Sequence, residues 1–175
     1  PKNITVSIIN RYHSNNDTFA KYFNIRTNNF IKNIQTNGLT EIIQLPPIDT
    51  VINEEVKVTF SDILNHSTAY YTVEEFILHL ENIIHILLTY KNYHVCLCKD
   101  TPENNFMIYA KEDVGTIISK VSTPPIIIAL NESNMTAAFW DYLRNLVSFY
   151  SYKNSDNQAI ANILRNYIQE IRHHQ

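Results

Sequence analysis

The residues able to do nucleophilic or metal chemistry are few. Cys96 and Cys98 are the two cysteines of the chain, and His94 stands just before them. Residues two apart in a strand share a face, so this run would set an imidazole beside two thiols, the parts of a thiolate nucleophile. Reactive thiols occupy electropositive, accessible places, whereas the basic neighbour here is Lys99 alone and the run itself is apolar. Buried, reduced thiols are therefore expected. At this spacing the pair is a poor disulfide and cannot close a four-ligand zinc site unaided.

Seven histidines raise the question of a metal. His79 and His85 would lie about 120° apart around one helix, and no His-Glu-x-x-His pattern sets two imidazoles on one face. The i,i+4 pairs Glu75/His79 and Glu81/His85 offer two ligands each and read as solvated side chains. Adjacent acidic residues at Glu54/Glu55, Glu74/Glu75 and Glu112/Asp113 point in different directions rather than across a cleft. The expectation is no catalytic residue, no metal and no cofactor.

Glycine usage removes further chemistry. Gly38 and Gly115 are the only glycines in 175 residues, where soluble proteins average roughly 7%. Phosphate loops, dinucleotide fingerprints and strained nucleophile turns need glycine where the backbone meets a ligand or takes positive φ. Two isolated glycines cannot write them.

Binding chemistry is better represented. Aromatic side chains gather around the predicted helix–sheet unit, and Tyr71, Tyr93, Tyr109 and Trp140 are the candidates to line a small-molecule pocket; core packing is the competing reading. Near the amino terminus, Thr18 to Ile31 resembles a helix-turn-helix, with Asn24 in the turn. Arg26, Asn28, Asn29 and Lys32 would then contact DNA phosphates or base edges. Ile160, Leu164, Tyr167 and Ile171 repeat in a 4-3-4 pattern that suits a homodimer interface, or docking of the last helix on its own sheet.

The elements that must position these residues follow from periodicity. Asp17 and Thr27 are candidate N-caps for short helices over 18–23 and 28–35, closed by Asn37-Gly38. Strands are predicted over 40–45 and 56–60, separated by Pro46-Pro47, where a domain boundary is placed. Thr72 and Glu75 form a capping box for a long helix to Tyr90 that buries Phe76, Ile77, Leu80, Ile83, Ile84, Leu87 and Leu88. Strand-like runs at 93–98, 106–110, 115–121 and 126–130 have connections too short for parallel crossovers, which predicts one antiparallel meander. Helices over 134–150, apolar on most of its circumference, and 157–173 finish the chain.

The fold expected is α+β: an antiparallel meander sheet covered by the long helix and two carboxyl-terminal helices, with a small helical amino-terminal region. Residues 1–45 form that region and 46–175 the α+β domain. The net charge of −3 provides no global field for nucleic acid or anionic lipid. No apolar run reaches the roughly 18 residues that span a bilayer, and no secretory signal pattern opens the chain, so a cytoplasmic protein without a membrane partner is expected. The start at Pro1 without Met reads as a trimmed chain with room for a further domain.

The stretch 74–146, notably Tyr93-His94-Val95-Cys96-Leu97, Tyr109 to Gly115 and the strand–helix unit from Pro124 to Leu143, resembles effector or dimerisation regions of transcription regulators from low-GC Gram-positive bacteria. The resemblance implies a non-enzymatic module that senses a small molecule, joins subunits, or both, attached to a DNA-binding region. The alternatives are a small intracellular enzyme with a pocket between helix and sheet, and an interaction adaptor without a ligand.

Overall fold

The computed structural model describes residues 16–53, 56–58, 69–98, 106–120, 126–150 and 156–175. It is an α+β fold. The amino-terminal candidate is one uninterrupted helix, α1 (Asn16–Asn37). This overturns the helix-turn-helix, since the chain does not turn at Asn24. Its span holds no Pro or Gly, and Asn, Ile, Arg and Thr each cost only a few tenths of a kcal/mol relative to Ala. Phe30 and Ile34, one turn apart, hold the helix to the core, where Ile34 is fully buried. Gly38 ends it at φ +73, donating its N–H to the Ile34 carbonyl at 3.2 Å. A Cβ there would come within 3.3 Å of the Asn92 carbonyl, so glycine serves both the turn and the close approach.

Strand β1 (Leu39–Gln44) pairs in parallel with β4 (Tyr93–Cys98), from Leu39 opposite Tyr93 to Gln44 opposite Cys98. The antiparallel meander expected to begin at β4 therefore begins one strand later. Parallel neighbours need a long connection, and the intervening chain supplies α2 (Ile48–Ile52), the short antiparallel pair β2 (Lys57–Val58) and β3 (Ala69–Tyr70), and α3 (Val73–Thr89). The pairing crosses the boundary placed at Pro46. Pro47 occupies the N-cap position of α2, Val51 is buried, and the Tyr167 hydroxyl donates to the Pro46 carbonyl, so one core serves both sides.

The Thr72–Glu75 capping box is present in full: the Thr72 hydroxyl accepts from the Glu75 N–H at 3.2 Å and the Glu75 carboxylate from the Thr72 N–H at 2.9 Å. It starts a helix that buries Phe76, Ile77, Leu80, Ile83, Ile84 and Leu87, while Leu88 is exposed. Alternation along β4 turns Tyr93, Val95 and Leu97 into this core. Cys96 and Cys98 leave from the other face, both buried and not joined in a disulfide.

Helix α5 (Asn157–His173) closes the core. Asp156 caps it, accepting from the Ala159 N–H at 2.8 Å. Asn157 donates to the carbonyls of Leu87 and Tyr93, each at 3.0 Å, and so locks the start of α5 to the end of α3 and to β4. Ile160, Leu164 and Ile171 are at most 3% exposed within this single chain, packed with α3 and α2, and Tyr167 is half-buried against the same core. The stripe expected at a homodimer interface is used intramolecularly. At solvent, Arg172 and Glu81 pair at 2.9 Å, an exposed bridge contributing about 0–1 kcal/mol.

The remaining elements form a second layer. Strands β5 (Phe106–Lys111), β6 (Gly115–Lys120) and β7 (Ile126–Leu130) make a three-stranded antiparallel meander in that order. Asp113 takes positive φ in the tight turn between β5 and β6, a conformation that Asp tolerates better than most residues. Helix α4 (Ser133–Tyr150) follows and packs on β4, β5 and β6. Glu132 caps it, accepting from the N–H groups of Asn134 at 3.1 Å and Met135 at 2.7 Å, and these bonds hold its carboxyl below the usual range.

Candidate interaction surface

The four candidate ligand residues do not converge. Tyr93 is spent in the core, meeting Phe30 edge to face at 6.2 Å and donating to the Glu41 carboxylate. Burial, and then Glu41, push its phenol far above the ordinary value. Tyr71 sits across α3, with Phe76 at 5.9 Å and His79 at 5.4 Å between ring centroids, and its hydroxyl lies 3.4 Å from His79 Nδ1. Burial raises the Tyr71 phenol to about 12, and burial lowers the His79 imidazole. Both shifts favour the neutral forms, and the two rings are tilted 36° to one another. Tyr109 stands on β5, half exposed, with its hydroxyl 3.6 Å from Met107 Sδ. Trp140 lies on the packed side of α4.

Of the DNA candidates, Asn28, Asn29 and Lys32 are exposed on the flank of α1, and the Arg26 side chain lies outside the described residues. Without a turn they present no recognition helix. Among the described residues no three His, Cys, Asp or Glu side chains are grouped to hold a metal ion, and no helix is long and apolar enough to cross a membrane.

What the structure does assemble is an apolar surface on the second layer. Among the described residues, none of the buried hydrophobic side chains falls between 106 and 150. Ten large hydrophobics of that stretch are exposed: Phe106, Tyr109, Val114, Ile117, Ile126, Ile127, Ile128, Met135, Tyr142 and Phe149. The register explains the asymmetry. One face of the meander carries the rows Ala110–Thr116–Leu130 and Ile108–Ile118–Ile128, and its Thr116 is covered; the other carries Tyr109–Ile117–Ala129 and Met107–Ser119–Ile127 and stays open. On α4, Thr136, Phe139, Trp140, Leu143, Leu146 and Val147 form the packed stripe, while Met135, Tyr142 and Phe149, seven residues apart, form an exposed one.

Strand β7 is the centre of this surface. Among the described residues it is an edge of its sheet, and Ile126, Ile127, Ile128 and Ala129 are all exposed, so both its faces are open. Five consecutive apolar residues read equally well as a strand buried on both sides, which is why the sequence did not single it out. Its position as the last strand of a meander is the signal that could have.

Beneath α4 three polar atoms are buried without a hydrogen-bond partner: Thr116 Oγ1, Thr136 Oγ1 and Trp140 Nε1. Thr136 and Trp140 are one turn apart on α4, and Thr116 lies on β6, against which α4 packs. Comparison with known proteins found no matching family model, no matching curated protein and no matching solved structure.

Proposed function

We propose that this chain is a non-enzymatic assembly module that joins two copies of itself through the β5–β7/α4 layer. The observation that carries this reading is the exposure of ten large hydrophobics in a layer that buries no hydrophobic side chain among the described residues. Soluble monomers rarely leave contiguous apolar patches beyond a few hundred Å² uncovered, and larger ones mark interaction surfaces. Each of these side chains is about half exposed or more.

The regulatory role implied by the resemblance to transcription regulators belongs with this reading, as dimerisation rather than DNA contact. Light scattering on the full chain tests it. The expected mass in solution is twice 20.4 kDa, falling to the single value on dilution. Ile127→Glu, at an exposed position of β7, is expected to shift the equilibrium to monomer. A wild type that stays monomeric at high micromolar concentration would sink the reading.

A second reading, sensing of a small effector, is favoured by the unpartnered Thr116, Thr136 and Trp140 atoms. Two hydroxyls and an indole N–H at one helix–sheet contact would suit a small molecule bearing a hydrogen-bond acceptor.

A further inference from the structure

We infer that the two copies meet edge to edge along β7. The strands run antiparallel about a two-fold axis through Ile128, making one continuous sheet of six strands from two of three. This rests on the assembly reading and fixes its geometry. An edge strand presents unpaired N–H and C=O groups, and proteins that stay monomeric blunt such edges with charge, proline, bulges or a covering element. Ile126–Leu130 carries no charge and no proline, and Ile126 to Ala129 are exposed, on both faces. The other edge strand, β5, ends in Lys111. One edge strand carries a charge and the other none.

The open edge is self-complementary. About an axis at Ile128, Ile128 faces its own copy, Ile127 faces Ala129 and Ile126 faces Leu130, so every pair across the junction is apolar. Directly opposed like charges, which destabilise strand pairs, do not arise. A two-fold contact uses the same patch on both copies, as this one does. A foreign peptide could also add as a strand, but β7 offers it no polar or charged side chain with which to select a sequence.

Sedimentation velocity on the full chain, with charge exchange at Ile128, tests the geometry. Wild type is expected to be dimeric, and Ile128→Lys and Ile128→Glu each monomeric, because the axis sets the new charge against its own copy. An equimolar mixture of the two is expected to restore a one-to-one dimer. Leu78→Glu, at an equally exposed site on α3 outside the layer, is expected to remain dimeric. Should either Ile128 variant fail to fold, amide exchange of the wild type decides instead: the Ile126–Leu130 amides must be protected at high concentration and released on dilution. Wild-type monomer overturns this inference together with the assembly reading. A wild-type dimer overturns the edge geometry alone if its Ile128 variants stay dimeric, if their mixture stays monomeric, or if its β7 amides exchange freely.

Discussion

The Tyr93 hydroxyl donates to the Glu41 carboxylate across the parallel β1–β4 pair, inside the row that also turns Leu39, Ile43, Val95 and Leu97 toward the core. A carboxyl in that row is unusual, because burial disfavours its charged form. The Tyr93 hydrogen bond stabilises the anion in part, and burial prevails, so the Glu41 pKa is raised above 4.5.

The sign of the pH dependence follows. A carboxyl whose folded pKa is raised keeps its proton longer in the folded chain than in the unfolded one. Its stabilising contribution is complete below the unfolded value and is lost as pH rises through the folded one. Glu41→Gln cannot ionise and keeps an acceptor for Tyr93. The variant is expected to match wild type near about pH 4 and to be the more stable of the two near about pH 7. Urea midpoints at the two pH values check this; a variant less stable at neutral pH would mean that the ionised carboxylate is required there.

Helix α5 gives the second prediction. Ile160 and Leu164 are 3% and 0% exposed within one chain. Truncating either to alanine is expected to cost about 2–5 kcal/mol. Because the contacts are intramolecular, the loss must appear as a lower melting temperature at every protein concentration, with the dimer equilibrium of the folded chain unchanged. Dissociation of a folded Leu164→Ala variant would return α5 to the interface.

How far the sequence carries depends on the range of the interaction that decides each element. The Thr72–Glu75 box and the Gly38 stop act within a few residues: α3 starts where the box places it, and α1 ends at Gly38, although it begins at Asn16 and not at 28. The pairing of β1 with β4 is decided by packing between distant segments, and nothing in Leu39–Gln44 names a parallel partner. Likewise Asn24–Thr27 reads as a break only until Phe30 and Ile34 are seen anchored to the core. The candidate surface was the least legible part. Ile126–Ile127–Ile128 has one sequence whether it is buried or open, and only the sheet order decides. Tyr109 was picked for its aromatic ring and does lie on that surface, whereas Tyr93, picked for the same reason, is a core residue.

The buried hydroxyls of Thr116 and Thr136 supply the last prediction. A hydroxyl removed from water without a partner costs about 1–3 kcal/mol, whereas an apolar group of the same shape carries no such penalty. Thr116→Val and Thr136→Val are therefore each expected to stabilise the protein by about 1 kcal/mol, or about 2–4 °C in melting temperature for a chain of this size. Valine also suits the strand at position 116 and differs little from threonine in the helix at 136. Both residues lie where α4 meets the sheet, so the double variant is not expected to be additive. Thermal unfolding of the two single variants decides between the readings of this site. Stabilisation means that the hydroxyls are idle, which leaves Trp140 Nε1 alone of the three atoms favouring an effector. Destabilisation by a similar amount would mean that the hydroxyls hold something polar in solution, and Trp140 Nε1, buried on the same helix one turn on, becomes the third group to test by Trp140→Phe.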